Sequence, residues 1–223
     1  MPRLARIVGV DYPHHIIQRG NNRQTVFFKD EDRSFYLELL KKYSQECSCR
    51  IKAYCLMKSH IHILAIPANE TSLAKTMQKL SLRYTQYINK KYKRTGRLWE
   101  CRFHSAVVEK ETYLWAVCRY IERNPVRAKI IDHPNEYRWS SAKANTSEEI
   151  DGIIEPIWQD LVDRKEYITF LNKIANKDEI EKIRKYTYCG RPIGTERFLD
   201  SLQKDLGLTI KIQPRGRPRK IKK

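Results

Sequence analysis

"RIKAYCLMKSHIHILAI", residues 50–66, reads as two strands joined by a polar break. Ile51, Ala53 and Cys55 alternate with Lys52, Tyr54 and Leu56, and after "KSH" the run "IHILAI" is apolar enough for a sheet interior. A hairpin is therefore expected. Side chains alternate along a strand, so His60 and His62 share one face while Ile61 and Ile63 point the other way, into a layer of helices. Upstream, "HHIIQRGNNRQ" looks like a short strand ending in a Gly-Asn turn. "DEDRSFYLELLKKYSQEC" follows it with helical spacing at Phe35, Leu39, Leu40 and Tyr43. Downstream, "TSLAKTMQKLSLRYTQYINKKY" repeats apolar residues at Leu73, Met77, Leu80, Tyr84 and Tyr87 or Ile88, with Lys75, Lys79, Arg83 and Lys90 on its exposed side. "FHSAVVEK" supplies a fourth strand. The order strand, helix, strand, strand, helix, strand suits an α+β fold: a ferredoxin-like sandwich with one antiparallel sheet, both helices on one face and the other face free. A further helix, "ETYLWAVCRYIERN", is stopped by Pro125.

Charge narrows the partners. The 223 residues are 41% hydrophobic, enough for a well-packed core, yet carry a formal net charge of +18. Such an excess attracts polyanions, and nucleic acid is the leading one. The six cysteines show no paired CxxC spacing and the opening "MPRLARIVGVDYPHH" has no apolar signal core, so a reduced, cytoplasmic protein is expected. No apolar run approaches the roughly 18 residues of a membrane span, and no membrane partner is expected.

Two imidazoles at i and i+2 on a rigid strand can converge on one metal ion, leaving other positions for a further ligand, water or substrate. The same spacing also fits two polar residues on a solvated face. In "VCRYIERNPVRA", Leu114, Cys118 and Ile121 make one apolar stripe of the helix. Tyr120 and Asn124 fall about 40° apart, to the side of that stripe. A hydroxyl beside an amide at i+4 is equally compatible with an ordinary surface pair.

Taken together, "HIH" on a strand, a later helix carrying Tyr with an amide four residues on, and the phrases "IQRGNNRQ", "GRLWECRF", "YIERNPVRA" and "YRWSS" resemble the single-tyrosine HUH transposases, especially the REP-associated tyrosine transposases. The resemblance covers about residues 1–145. It implies that His60 and His62 are metal ligands, that Tyr120 is the nucleophile, and that Asn124 stands where related enzymes place a Gln or Asn as third ligand. Mg²⁺ or Mn²⁺ is the implied cofactor, since a phenol with a pKa near 10 needs electrostatic help to attack an anionic phosphodiester. The implied reaction nicks single-stranded or hairpin DNA through a 5′-phosphotyrosine and transfers the strand. A domesticated, non-catalytic hairpin-binding protein or repressor is the alternative. A replication initiator fits less well, because the chain has no GxxxxGK[ST] segment. Relatives include monomers and homodimers that exchange the tyrosine helix. On the sheet face Arg19, Arg23, Arg97, Trp99 and Arg102 are candidate DNA contacts, the arginines for phosphates and the indole for stacking; solvated charge and a core indole are the plain alternatives.

Three segments are expected: a nuclease domain over 1–145, a small helical accessory region over 146–210, and a basic tail over 211–223. In the second, "PIWQDLVDRKEYITFLNKI" has Pro156 at its start, and "TERFLDSLQKDLG" has Thr195 as N-cap with Gly207 closing it. The tail holds seven basic residues and no acid, and its Arg215, Gly216, Arg217 and Pro218 look like the core of an AT-hook, which lies in the narrow minor groove of A·T-rich duplex. A sequence-blind polybasic tail is the other reading.

Overall fold

The computed structural model describes residues 6–148 and 151–207. Strands β1 (His14–Arg19), β2 (Cys49–Met57), β3 (His60–Pro67) and β4 (His104–Val107) form one antiparallel sheet in the order β2-β3-β1-β4. Helices α1 (Asp30–Glu46) and α2 (Ser72–Lys91) connect them, and this is the expected ferredoxin-like order. α1 begins where Asp30, Glu31 and Asp32 meet the positive end of the helix dipole. The Asp32 carboxylate accepts the Phe28 and Lys29 amides at 2.9 Å each. α2 buries Leu73, Met77, Leu80, Tyr84 and Ile88, so Ile88 rather than Tyr87 completes the stripe. Both helices pack with Ile61 and Ile63 in the first core.

Two details of the sheet differ from the alternation read in the sequence. The β2/β3 register shifts between Ile51 and Ala53, and this bulge reverses the phase of β2. Ile51 consequently shares the first core with Tyr54 and Leu56, while Ala53, Cys55 and Met57 face the other way. The second face is also not free. Ala53, Cys55, Leu64, Ala106 and Val108 are too apolar to meet water, and they pack against α3 (Lys110–Glu122) together with Tyr167, Leu171 and Ile183.

α3 ends at Glu122 with Arg123 as its cap, and a separate single turn, α4 (Asn124–Arg127), carries Pro125 in its first turn. α5 (Ala142–Thr146), α6 (Leu161–Asn172), α7 (Lys177–Cys189) and α8 (Glu196–Leu206) complete the described chain. α6 starts at Leu161 rather than at Pro156, because the Asp160 carboxylate caps the Val162 and Asp163 amides at 2.8 and 3.0 Å. Glu155 N instead donates to Ile51 O at 2.8 Å, holding that segment against β2. α8 has the expected bounds, with Thr195 accepting from Phe198 N and Gly207 at φ 59°. α7 is additional to the expected elements. It packs on β4 and β1, and Arg119 ties α3 to it through Glu179 at 2.8 Å. All six cysteines are free thiols. No helix among the described residues is long and apolar enough to cross a membrane. The tail residues Arg215, Gly216, Arg217 and Pro218 lie outside the described residues.

Candidate active site

Cross-strand pairing assembles the site. In the antiparallel register Leu64 lies opposite His15, His62 opposite Ile17 and His60 opposite Arg19, so His15, Arg19, His60 and His62 share the second face. The His60 and His62 ring centroids are 5.2 Å apart. His15 stacks on His62 at 5.3 Å with an interplanar angle of 14°, and its Nε2 lies 3.1 Å from His62 Nδ1.

Tyr120 of α3 stands edge-on over this pair, with its centroid 5.4 Å from His15 and 5.6 Å from His62. It is not on a solvated side of the helix. Only 7% of it is exposed, and it belongs to the second core. The Arg127 guanidinium lies 4.3 Å from the Tyr120 ring centroid and donates to Tyr120 O at 2.7 Å. Asn124 Nδ2 donates to the same main-chain oxygen, Tyr120 O, at 3.2 Å. The structure therefore brings His60, His62 and Tyr120 together, and ties Asn124 to the backbone of Tyr120.

Burial fixes their protonation. His60 is pushed down to about 4 by desolvation and by Arg19. His62 is held well below the ordinary histidine range by desolvation, then by His60, His15 and Arg127. His15 is pushed down to about 3 by desolvation and by Arg127. At neutral pH all three rings are neutral and each carries one lone pair. Desolvation raises Tyr120, with Arg127 opposing it, so the phenol is protonated at rest.

Among the described residues no group of three or more His, Cys, Asp and Glu side chains could hold a metal ion. The donors that the structure puts side by side are the two neutral imidazoles of His60 and His62. That set fits a divalent ion that takes its remaining ligands from phosphate oxygens and water. His60 Nδ1 engages Ser59 Oγ at 3.2 Å.

Basic residues surround the site. Arg19, Arg23, Ser59, His60 and Arg184 line a shallow cavity of about 200 Å³. A second, of about 290 Å³, is lined by Arg97, Trp99, Glu100, Cys101 and Arg102. The loop bearing the second is bound to the end of β1: Asn21 N donates to Leu98 O at 2.8 Å and Glu100 N to Arg19 O at 2.9 Å. Trp99 is not an open stacking platform. Its indole lies in the first core near Tyr36 and Tyr84, so only an edge is left for the cavity.

His15, Arg184, Thr187 and Tyr188 join the site from outside the motifs quoted above, and Arg127 joins it from within "YIERNPVRA". Thr187 Oγ1 lies 2.7 Å from His15 Nδ1, Arg19 donates to the Tyr188 hydroxyl, and His104 Nδ1 donates to Tyr188 O at 3.1 Å. The sequence does carry a signal for α7: Asn176 as cap, Ile180, Ile183 and Thr187 at helical spacing, and Gly190 after the last turn.

The sequence model of one family, described as Transposase IS200 like, matches residues 10–124. A Haemophilus influenzae protein named for the REP-associated tyrosine transposases is 24% identical over 144 residues, covering 56% of this chain and 81% of its own. Among solved structures, a REP-associated tyrosine transposase bound to a REP hairpin superposes with a TM-score of 0.57 at 16% identity, covering 73% of this chain and 93% of that one. At that identity the superposition speaks to the fold.

Proposed function

Because the chain belongs to the IS200-like transposase family, we propose that it nicks single-stranded DNA at hairpin or REP-type sequences through Tyr120 and transfers the strand through a 5′-phosphotyrosine. The observation that carries this reading is the Tyr120 ring edge-on over His62, with His60 adjacent. Tyr120 Oη attacks the phosphorus, the bond to the 3′ oxygen breaks, and the proton given up by the phenol is balanced by the one gained at the leaving 3′-hydroxyl. One ester replaces another, so the step needs no nucleotide energy source. His60, His62 and Asn124 would hold Mg²⁺ or Mn²⁺, which supplies charge stabilisation at the scissile phosphate.

The chain's own residues do the rest. Arg127, on the ring of Tyr120, favours the developing phenolate. Arg19, Arg23 and Arg184 offer charge to phosphates at the cavity beside His60. Arg97 and Arg102 do so at the second cavity, with the edge of Trp99 between them. The basic tail would add duplex contacts through Arg215, Gly216, Arg217 and Pro218. We treat the active unit as a monomer or homodimer.

The test uses hairpin DNA with Mn²⁺ on a denaturing gel. A label 3′ of the cut should migrate with the protein, and a label 5′ of it should appear on free DNA ending in a 3′-hydroxyl. Tyr120→Phe should bind the hairpin and give no cleavage. Full cleavage by that variant, or the reverse labelling pattern, would sink the assignment.

A further inference from the structure

We propose that Thr187 and His15 form a hydrogen-bond relay that fixes the tautomer of His62, so that its Nε2 presents a lone pair to the metal ion; this rests on reading His62 as a ligand. Both are positioning residues. The relay follows from counting protons along one chain of hydrogen bonds. Thr187 Oγ1 lies 2.8 Å from Ile183 O and 2.7 Å from His15 Nδ1. A carbonyl oxygen can only accept, and the relay assigns the single hydroxyl proton to Ile183 O. Facing His15, the hydroxyl oxygen can then only accept, and His15 Nδ1 must carry a hydrogen.

On a neutral ring the other nitrogen is then an acceptor. His15 Nε2 lies 3.1 Å from His62 Nδ1, which must donate to it. His62 is left with its lone pair on Nε2, the nitrogen remote from the relay. The relay is shielded from competing water: His15 and Thr187 are 0% exposed and His62 3%. The two ring planes lie within 14° of each other with centroids 5.3 Å apart, which suits an in-plane N–H···N bond.

The relay begins on α7, well beyond the residues 10–124 that match the family. Ile183 and Thr187 are one turn apart on that helix, so its rotational setting on β1 and β4 determines where the chain of hydrogen bonds starts. Outer-shell partners of metal-ligating histidines typically hold 10–100-fold of metal affinity, by orienting the ring and fixing the tautomer. The expected effect here is of that order.

The test has a spectroscopic arm that needs no metal. Long-range ¹H–¹⁵N correlation on the full chain, histidine-labelled and metal-free at pH 7.5, should show His15 and His62 both protonated at Nδ1 and bare at Nε2. His15→Gln and His62→Gln assign the signals. Calorimetric titration with Mn²⁺ is the second arm. Thr187→Val and His15→Leu, checked for folding by their thermal transitions, should each weaken Mn²⁺ binding about 10-fold or more. His15→Gln, whose amide oxygen can stand near the place of Nε2, should recover most of that affinity. A His62 protonated at Nε2, or unchanged Mn²⁺ affinity in both folded variants, would overturn the relay. Absence of Mn²⁺ binding by the unmodified chain with the tautomers as assigned would instead uphold the hydrogen-bond relay and remove the ligand role of His62.

Discussion

At the scale of single residues the site separates chemistry from grip. In the proposed reaction His60 and His62 act on one phosphate, whereas the strand would be held by arginines around two cavities and along the basic surface. His60→Ala or His62→Ala should therefore abolish cleavage, measured on labelled hairpin, and leave binding by fluorescence anisotropy within a few fold. Asn124→Ala should cost less, because water can replace one neutral ligand. Normal cleavage by both histidine variants would remove the metal-site reading. These residues are legible in the sequence because "HIH" and a Tyr with Asn four residues on form a pattern. His15 is not, since in "HHIIQ" nothing distinguishes the histidine facing Tyr120 from its neighbour His14, which points to the opposite face. Thr187 lies 172 residues from its partner, and no local spacing reports such a pairing.

Among elements, α3 is the one whose placement governs Tyr120, the proposed nucleophile, and its last turn is clamped from the side remote from the histidines. Glu122, 0% exposed, accepts Ser141 Oγ at 2.6 Å, Asn145 Nδ2 at 2.7 Å and the Tyr167 hydroxyl at 2.6 Å. One carboxylate thus joins α3 to α5, to the residue preceding α5, and to α6. Desolvation raises its pKa while these hydrogen bonds oppose the rise. Glu122→Ala leaves three buried donors without their acceptor and should destabilise the protein by about 3 kcal/mol or more, read as a lower urea midpoint. Glu122→Gln, which keeps one acceptor oxygen, should cost less. Equal midpoints for Glu122→Ala and the unmodified chain would show that α5 and α6 do not depend on this clamp. Periodicity reveals α1, α2 and the sheet order because their apolar residues recur with one phase. The bulge at Ile51 and Ala53 interrupts that phase, and a covered second face looks like solvent-facing sequence when its residues are as small as Ala53, Cys55 and Ala106.

Across the whole molecule the formal charge of +18 is distributed between the first 210 residues and the tail, which holds seven basic residues from Lys211 to Lys223 and no acid. The composition makes a polyanionic partner legible; which charges meet duplex and which meet single strand is a matter of position. Tyr120, His60 and His62 all precede residue 125, and both arginine-lined cavities, the one at His60 and the one at Trp99, are built from residues before the tail. Deleting residues 211–223 should therefore spare cleavage of single-stranded hairpin while weakening binding to duplex. Removing one cation from a phosphate lowers the slope of log affinity against log salt by about 0.9 on duplex DNA, so a tail using several of its cations should flatten that slope by several units when deleted. Anisotropy titrations of duplex from low to moderate salt measure it directly, and an unchanged slope would exclude the tail from the interface. Arg217→Ala then distinguishes the two kinds of tail. In an AT-hook the arginines enter a narrow minor groove, where the potential is most negative, so binding to A·T-rich duplex should fall more than binding to G·C-rich duplex. A polybasic tail attracts both alike, and an equal fall on the two duplexes would assign the charge to sequence-blind attraction.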